Sequence, residues 1–212
     1  MADGPDALTG IVAVSRETAE RLAAFVALLK KWQPAENLIA PSTIDTLWRR
    51  HVADSAQLTA LFPGSTWLDL GSGGGFPGVV VALLGAKHVH LVESNRRKCA
   101  FLRAAIRETV APATVHEARV EEVLASWSEP VDRISARALA PLTDLLALAE
   151  PATKMGVPAA FMKGVDYQRE VDDARSGWEF DLTVHPSRTE QGAAILDIRT
   201  ARRRANQDKT PA

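Results

Sequence analysis

From Arg16 to Trp32 the apolar positions Leu22, Phe25, Val26 and Leu29 recur at i, i+3, i+4 and i+7, the spacing of one helical face. Glu17 and Glu20 near the start and Lys30 and Lys31 near the end complement the helix dipole, and Pro34 is expected to forbid continuation. Ser42 with Asp45 three residues later resembles a capping box that opens a second helix. Its buried stripe would be Ile44, Leu47, Trp48, Val52 and Leu58, and Pro63-Gly64 would end it. Residues 1–14 show no period and are expected to fray or pack loosely. Residues 1–62 thus read as a helical appendage.

Beyond Gly64 the period changes. TWLDL (66–70) runs into a glycine cluster, and an apolar stretch of helical character follows around Val79 to Leu84. HVHLVE (88–93), ATVHE (113–117), VDRISAR (131–137) and VPAAFMK (157–163) read as strands. Helical segments are expected between them over Arg96–Thr109, Leu142–Ala149 and Val165–Arg175. Strands alternating with helices require a parallel sheet with right-handed crossovers. WEFDLTV (178–184) and GAAILDIR (192–199) are joined by only a short loop, so that pair must be antiparallel. Residues 63–200 read as one α/β domain, and 201–212 as a disordered basic tail.

Composition narrows the class. In 212 residues, 46% apolar and 24% charged content excludes wholesale disorder. The longest apolar run, Phe76 to Ala86, is about half of what a membrane-spanning helix needs, and the first residues carry no secretory signal. One cysteine, Cys99, excludes an internal disulfide framework and a cysteine-based zinc site. A cytoplasmic protein without membrane contact or metal is expected. The net charge of −1 argues against coating nucleic acid by bulk charge, though a local basic patch is compatible with it. Of the 25 basic residues, 18 are Arg; GC-rich codon usage and selection for phosphate recognition both account for that excess.

The candidate chemistry lies in GSGGGFPG (71–78), between a strand and a helix. Glycine allows positive φ and lets backbone N–H groups approach a ligand. Glu93, 22 residues beyond Gly71 at the end of the next strand, is placed to accept both ribose hydroxyls of an adenosine. As a strand-end carboxylate it is expected to support no core packing. A dinucleotide turn would need glycine at the sixth position, where Phe76 stands. Gly71, Gly73 and Gly75 instead satisfy G-x-G-x-G, the spacing of S-adenosylmethionine enzymes. Pro77 has no N–H, which suits a cofactor without phosphates.

LDLGSGGGFPG (68–78), WRRHVADS (48–55), SARALAPL (135–142) and FMKG (161–164) together resemble the RsmG/GidB family. WQPAENLIAP (32–41) is similar to a further family segment but departs from it after Leu38, and His185 to Gln191 carries no family signal. The resemblance implies a class I S-adenosylmethionine-dependent methyltransferase, with a Rossmann-like, seven-stranded, mostly parallel sheet whose last strand is antiparallel. It implies methylation of guanine N7 in 16S ribosomal RNA near the decoding site, by a monomer acting on that RNA or on the small ribosomal subunit. A small-molecule methyltransferase or a noncatalytic RNA-binding protein on the same fold is the alternative.

By the same resemblance, Gly71, Gly73, Gly75 and Phe76 line the methionine side of the cofactor, Glu93 holds the ribose, and Val120 and Glu121 flank the adenine. Arg137, at a strand's carboxyl end, belongs near the transferred methyl, or is a plain surface cation. Phe76 is equally open to simple core packing. Arg50 and Asp54 are i, i+4 partners, so a solvated ion pair explains them; His51 is either a satisfied helix histidine or a residue of the site mouth. Asn37 is a helix-exit residue or lies near the site. Candidates for RNA are Arg50, His51, Arg96, Arg97, Lys98, Arg137 and Lys163, with Arg199 and Arg202 to Arg204 as additions. No general base is expected, because N7 carries a lone pair and no proton, and Cys99 is expected to be buried rather than nucleophilic.

Overall fold

A computed structural model describes residues 3–204. Seven strands form one sheet: β1 (Thr66–Leu70), β2 (His88–Glu93), β3 (Ala113–Glu117), β4 (Arg133–Arg137), β5 (Ala159–Lys163), β6 (Trp178–Pro186) and β7 (Ala194–Arg203). Their order is β3-β2-β1-β4-β5-β7-β6. The first five are parallel, and β7 lies between β5 and β6, antiparallel to both. The sheet expected from sequence is therefore present. Helices α1 (Arg16–Glu36), α2 (Asp54–Leu61), α3 (Gly78–Leu83) and α4 (Arg96–Thr109) pack one face; α5 (Val120–Ser126), α6 (Leu142–Lys154) and α7 (Tyr167–Arg175) cover the other. Among the described residues no helix is long and apolar enough to cross a membrane.

α1 begins where Ser15 accepts a hydrogen bond from the Thr18 N–H, and it buries Leu22, Phe25, Val26 and Leu29. Pro34 does not end it. The helix runs two residues further, because Pro34 faces solvent and its ring frees only the Lys30 carbonyl, which water can reach. The buried Gln33 then pins the exit: its amide donates to the Ile39 carbonyl at 2.7 Å and accepts from the Ile39 N–H at 3.0 Å. Asn37 ends the helix in the left-handed region at φ 49°, the helix-exit role.

The second helix departs from its expectation. Pro41–Thr46 is a 3-10 turn without a side-chain cap, so Ser42 and Asp45 form no capping box. Trp48–Ala53 follows as a wider π turn, and regular helix α2 is confined to Asp54–Leu61. The cap comes from far away in sequence, since Asp3 accepts from the Trp48 and Arg49 N–H groups. Residues 3–14 are correspondingly more ordered than the lack of period over 1–14 implied, residues 1 and 2 lying outside the described residues: Pro5–Leu8 forms a 3-10 turn and Leu8 is 1% exposed. The N-terminal helices share one apolar core with the sheet, in which Phe25 packs against Phe76 and Phe101.

At the other end, β7 extends to Arg203, three residues into the stretch expected to be a tail. It buries Asp197 against Arg133 at 2.6 Å across the intervening β5. Residues 205–212 of that expected tail lie outside the described residues. Helix α5 is the one helix that periodicity did not show; at seven residues it is too short to display a face.

Candidate functional site

β1 and β4 end side by side at the middle of the sheet, where the crossovers leave in opposite directions. That position is where open α/β sheets bind ligands. A cleft of about 700 Å³ opens there, lined by the glycine turn, Glu93, Lys98, Val120, Glu121 and Arg137. Residues named from the sequence at long separation are thus brought to one cavity.

The turn is built by close approach. Gly71 has φ 67°, and a Cβ there would lie 2.6 Å from the Leu139 side chain. At Gly74 a Cβ would meet the Leu38 carbonyl at 2.8 Å, so this glycine admits the chain leaving α1. Four N–H groups of the turn are already engaged: Ser72 donates to the Val92 carbonyl, Gly73 to Glu93 Oε2, Gly75 to the Ser72 carbonyl and Gly78 to Asp69 Oδ2. Pro77 has none to give. With the donors turned inward and a carboxylate at the rim, the turn is a poor phosphate cradle. A Cβ at Gly73 would meet only the Gly71 carbonyl, at 3.7 Å, so a ligand can lie close against the backbone there.

Glu93 does more than face the cleft. Besides accepting from Gly73 at 3.0 Å, its other oxygen accepts from the Asn95 N–H at 2.7 Å, so it ties the glycine turn to the start of α4. Each oxygen keeps a lone pair for a ligand hydroxyl. Cys99 sits beneath, fully buried, its thiol donating to the Glu93 carbonyl at 3.1 Å. Burial foremost, then the charges of Glu117 and Glu93, pushes the thiol up to about 11, which suits packing and not nucleophilic attack.

Arg137 turns toward the N-terminal helices. Its guanidinium lies 3.4 Å from Asp54 Oδ2, donates to the Arg50 carbonyl at 3.2 Å and sits over the Phe76 ring at 5.1 Å. It also lies 2.7 Å from His51 Nδ1. Arginine has no acceptor, so His51 Nδ1 accepts and the ring proton sits on Nε2, which donates to Thr43 Oγ1 at 2.7 Å. Thr43 passes its own proton to the Ala40 carbonyl at 2.8 Å. Burial, and then the charges of Arg137 and Arg50, lowers the His51 pKa to about 3. The ring is neutral, with both nitrogens occupied. Phe76 is 4% exposed in the core and also lines the cleft.

The remaining cations differ in availability. Arg50 pairs with Glu190 at 2.6 Å. Lys163 is engaged inward, with Glu170 at 2.6 Å and the Ala140 carbonyl at 3.0 Å, and is 10% exposed. Arg202 and Arg204 pair with Glu179, and Arg203 stacks on Trp178. Arg96, Arg97 and Lys98 form no ion pair among the described residues. They occupy the first turn of α4, where the dipole favours anions over cations.

Sequence reasoning passed over Asp69. Fully buried two residues before Gly71, it accepts from Ser135 Oγ at 2.7 Å and from the Gly78 N–H at 3.2 Å, tying the far end of the turn to β1 and β1 to β4. A carboxylate in an otherwise apolar strand was the available signal. Burial raises its pKa from 3.8 to about 6, against the opposing hydrogen bonds. The folded state therefore holds a proton that the unfolded chain has released. This stabilisation is complete below pH 3.8 and lost as pH rises through 6. Relative to wild type, Asp69→Asn should gain about 2 kcal/mol between pH 4 and 6.5, whatever its fixed offset. Denaturant melts at several pH values check this; parallel curves would remove the titration from Asp69.

Comparison with known proteins bears on the same cleft. Residues 18–196 match the GidB family, described as rRNA small subunit methyltransferase G. A ribosomal RNA small subunit methyltransferase G from Brucella suis is 51% identical over 207 residues, covering 95% of this chain and 97% of that protein. The Brucella ovis relative is 50% identical over the same coverage. Among solved structures, an O-methyltransferase from Bacillus cereus in complex with SAH aligns with a TM-score of 0.55 at 13% identity, covering 90% of this chain and 94% of that one. A putative O-methyltransferase from Klebsiella pneumoniae aligns at 0.57 and 12% identity, with 91% and 94% covered. The structural likeness carries the fold, and the sequence match carries the family: the chain belongs to the GidB family of rRNA small subunit methyltransferases.

Proposed function

We propose that this enzyme transfers a methyl group from S-adenosylmethionine to N7 of a guanine in small-subunit ribosomal RNA. The observation that carries the choice of atom is His51. It is the imidazole nearest the site, and it has no nitrogen free and no proton affinity at neutral pH. An acceptor with an in-plane lone pair and no proton to lose requires nothing more, since holding the reactants in line supplies the rate. S-adenosylmethionine, when bound, supplies an electrophilic methyl on a sulfonium and brings no phosphate. The engaged amides of Ser72, Gly73, Gly75 and Gly78, with Pro77 offering none, fit that cofactor better than a dinucleotide. Glu93 would hold its ribose, and Val120 and Glu121 would flank its adenine. In this reading the modified guanine lies near the decoding site, and the enzyme is a cytoplasmic monomer acting on 16S RNA or the small subunit; the family membership supports it.

RNA is held by Arg96, Arg97 and Lys98 beside the cleft, three cations without an ion-pair partner among the described residues, at a helix start that disfavours them. Arg96→Ala with Lys98→Ala should weaken RNA binding and lower the salt slope by roughly 0.7 to 0.9 for each phosphate no longer neutralised, with cofactor affinity unchanged. Lys163→Ala should leave that slope alone, given its inward partners. Binding titrations at several salt concentrations separate the two. The reading as a whole is tested by methyl transfer to 16S RNA and to small subunits, with the modified nucleotide mapped. Label on a base other than guanine, or on a metabolite panel and not on RNA, overturns it.

A further inference from the structure

The loop Ser187–Glu190, between β6 and β7, is held more firmly than a connection requires. Gln57, 2% exposed, donates to Ser187 Oγ and Thr189 Oγ1 and accepts from the Arg188 N–H at 2.7 Å. Thr189 donates to Asp54 Oδ1 at 2.7 Å, and the Ser187 hydroxyl accepts from the Glu190 N–H. This brace sets Glu190 in the wall of a second cleft, of about 460 Å³, which meets the first at Leu38, Arg137 and Ala138.

Three carboxylates line the second cleft. Asp54 is consumed by Thr189, Gln57 and Arg137. Glu170 accepts from Lys163 and from the Leu142 N–H at 2.7 Å, inside the fold. Glu190 alone has for its side-chain partner an exposed arginine, Arg50, whose side chain is 42% accessible. A half-exposed ion pair is weak and exchanges readily. An RNA phosphate is a natural competitor for Arg50, and taking it leaves a carboxylate with two free acceptor oxygens in the cleft wall.

We propose that the second cleft receives the acceptor guanine and that Glu190 reads its Watson–Crick edge, accepting from N1–H and the 2-amino group once phosphate has drawn Arg50 away. The proposal rests on guanine being the methyl acceptor. Of the four bases, only guanine offers two adjacent donors on that edge. N7 lies on the opposite side of the ring, so recognition there leaves its lone pair free toward the cofactor cleft. Adenine would set its N1 lone pair against the carboxylate.

The test replaces the mapped target guanine by inosine, which lacks the 2-amino group and keeps N7, in otherwise identical small-subunit RNA. Wild type should methylate guanine about ten- to a hundredfold faster than inosine, the worth of one hydrogen bond to a charged group. Glu190→Ala should slow both substrates, guanine by the larger factor because it loses two hydrogen bonds and inosine one, and bring the ratio near one. Arg50→Ala should weaken RNA binding yet keep the ratio. Where Glu190→Ala is too slow to read, Glu190→Gln, with one acceptor oxygen left, should give an intermediate ratio. A ratio near one in wild type, or the same ratio in wild type and the Glu190 variants, overturns the proposal while leaving guanine methylation standing. Absence of transfer to guanine by wild type would bring down the guanine reading and the proposal with it.

Discussion

Arg137→Ala should slow methyl transfer by about a hundredfold or more and lower the unfolding free energy by about 3 kcal/mol. The guanidinium joins the carboxyl end of β4 to the π turn, through the Arg50 carbonyl and His51, and to Asp54 with its braced loop. Removing it leaves the partly buried Asp54 with a lone pair unmet and His51 Nδ1 without a donor, while the ring of Phe76 loses its cover. The stability loss falls toward the lower end for such pairs because Thr189 and Gln57 still hold Asp54. Activity should fall further than stability, since the two clefts meet at this side chain. Arg137→Lys keeps the charge but cannot reach three acceptors in one plane, so it should recover stability better than rate. Thermal melts and single-turnover transfer report the two effects separately, and transfer within twofold of wild type in Arg137→Ala would refute the role.

Glu93→Ala should weaken S-adenosylmethionine binding about ten- to a hundredfold, equivalent to about 1.5–3 kcal/mol. Two contributions add: the lost acceptor for ribose hydroxyls, and the loosening of a glycine turn that Glu93 ties to α4 through Gly73 and Asn95. The conservative change is informative here. With both oxygens accepting backbone N–H groups, Glu93→Gln must point its own NH₂ at one of them, so it should bind nearly as poorly as alanine. A carboxylate acting on ribose alone would tolerate glutamine well. Calorimetry on both variants, with circular dichroism to confirm the fold, decides; cofactor binding within twofold of wild type in Glu93→Ala would make the residue a bystander.

Strands and parallel crossovers were legible because each depends on short-range pattern: TWLDL and HVHLVE are apolar runs whose neighbours forbid other structure. The glycine spacing and Glu93 were legible for the same reason, since a turn and the strand after it fix both. What escaped depends on partners distant in sequence. Pro34 looks like a helix stop until the Gln33–Ile39 bonds are seen, and the turn at Trp48 takes its cap from Asp3, 45 residues earlier. Arg50 was expected to pair with Asp54 four residues on, whereas the fold gives Asp54 to Arg137 and pairs Arg50 with a glutamate 140 positions on. Glu190 had no local pattern to mark it, because its importance lies in which neighbours its loop is tied to.

The position of β7 sets an order on synthesis. A ribosome delivers this chain from its N-terminus, and β1 to β5 can associate as they emerge, each beside a strand already made. β6 cannot join them, because its only neighbour in the sheet is β7. Until residues 194–203 are translated, β5 presents an unpaired edge and Arg133 lacks Asp197. A nascent chain stalled after β6 would carry an open edge and a cofactor turn already formed, a form prone to pair with other chains. The last strand to be made is thus the one that closes the sheet, by insertion between two strands already present.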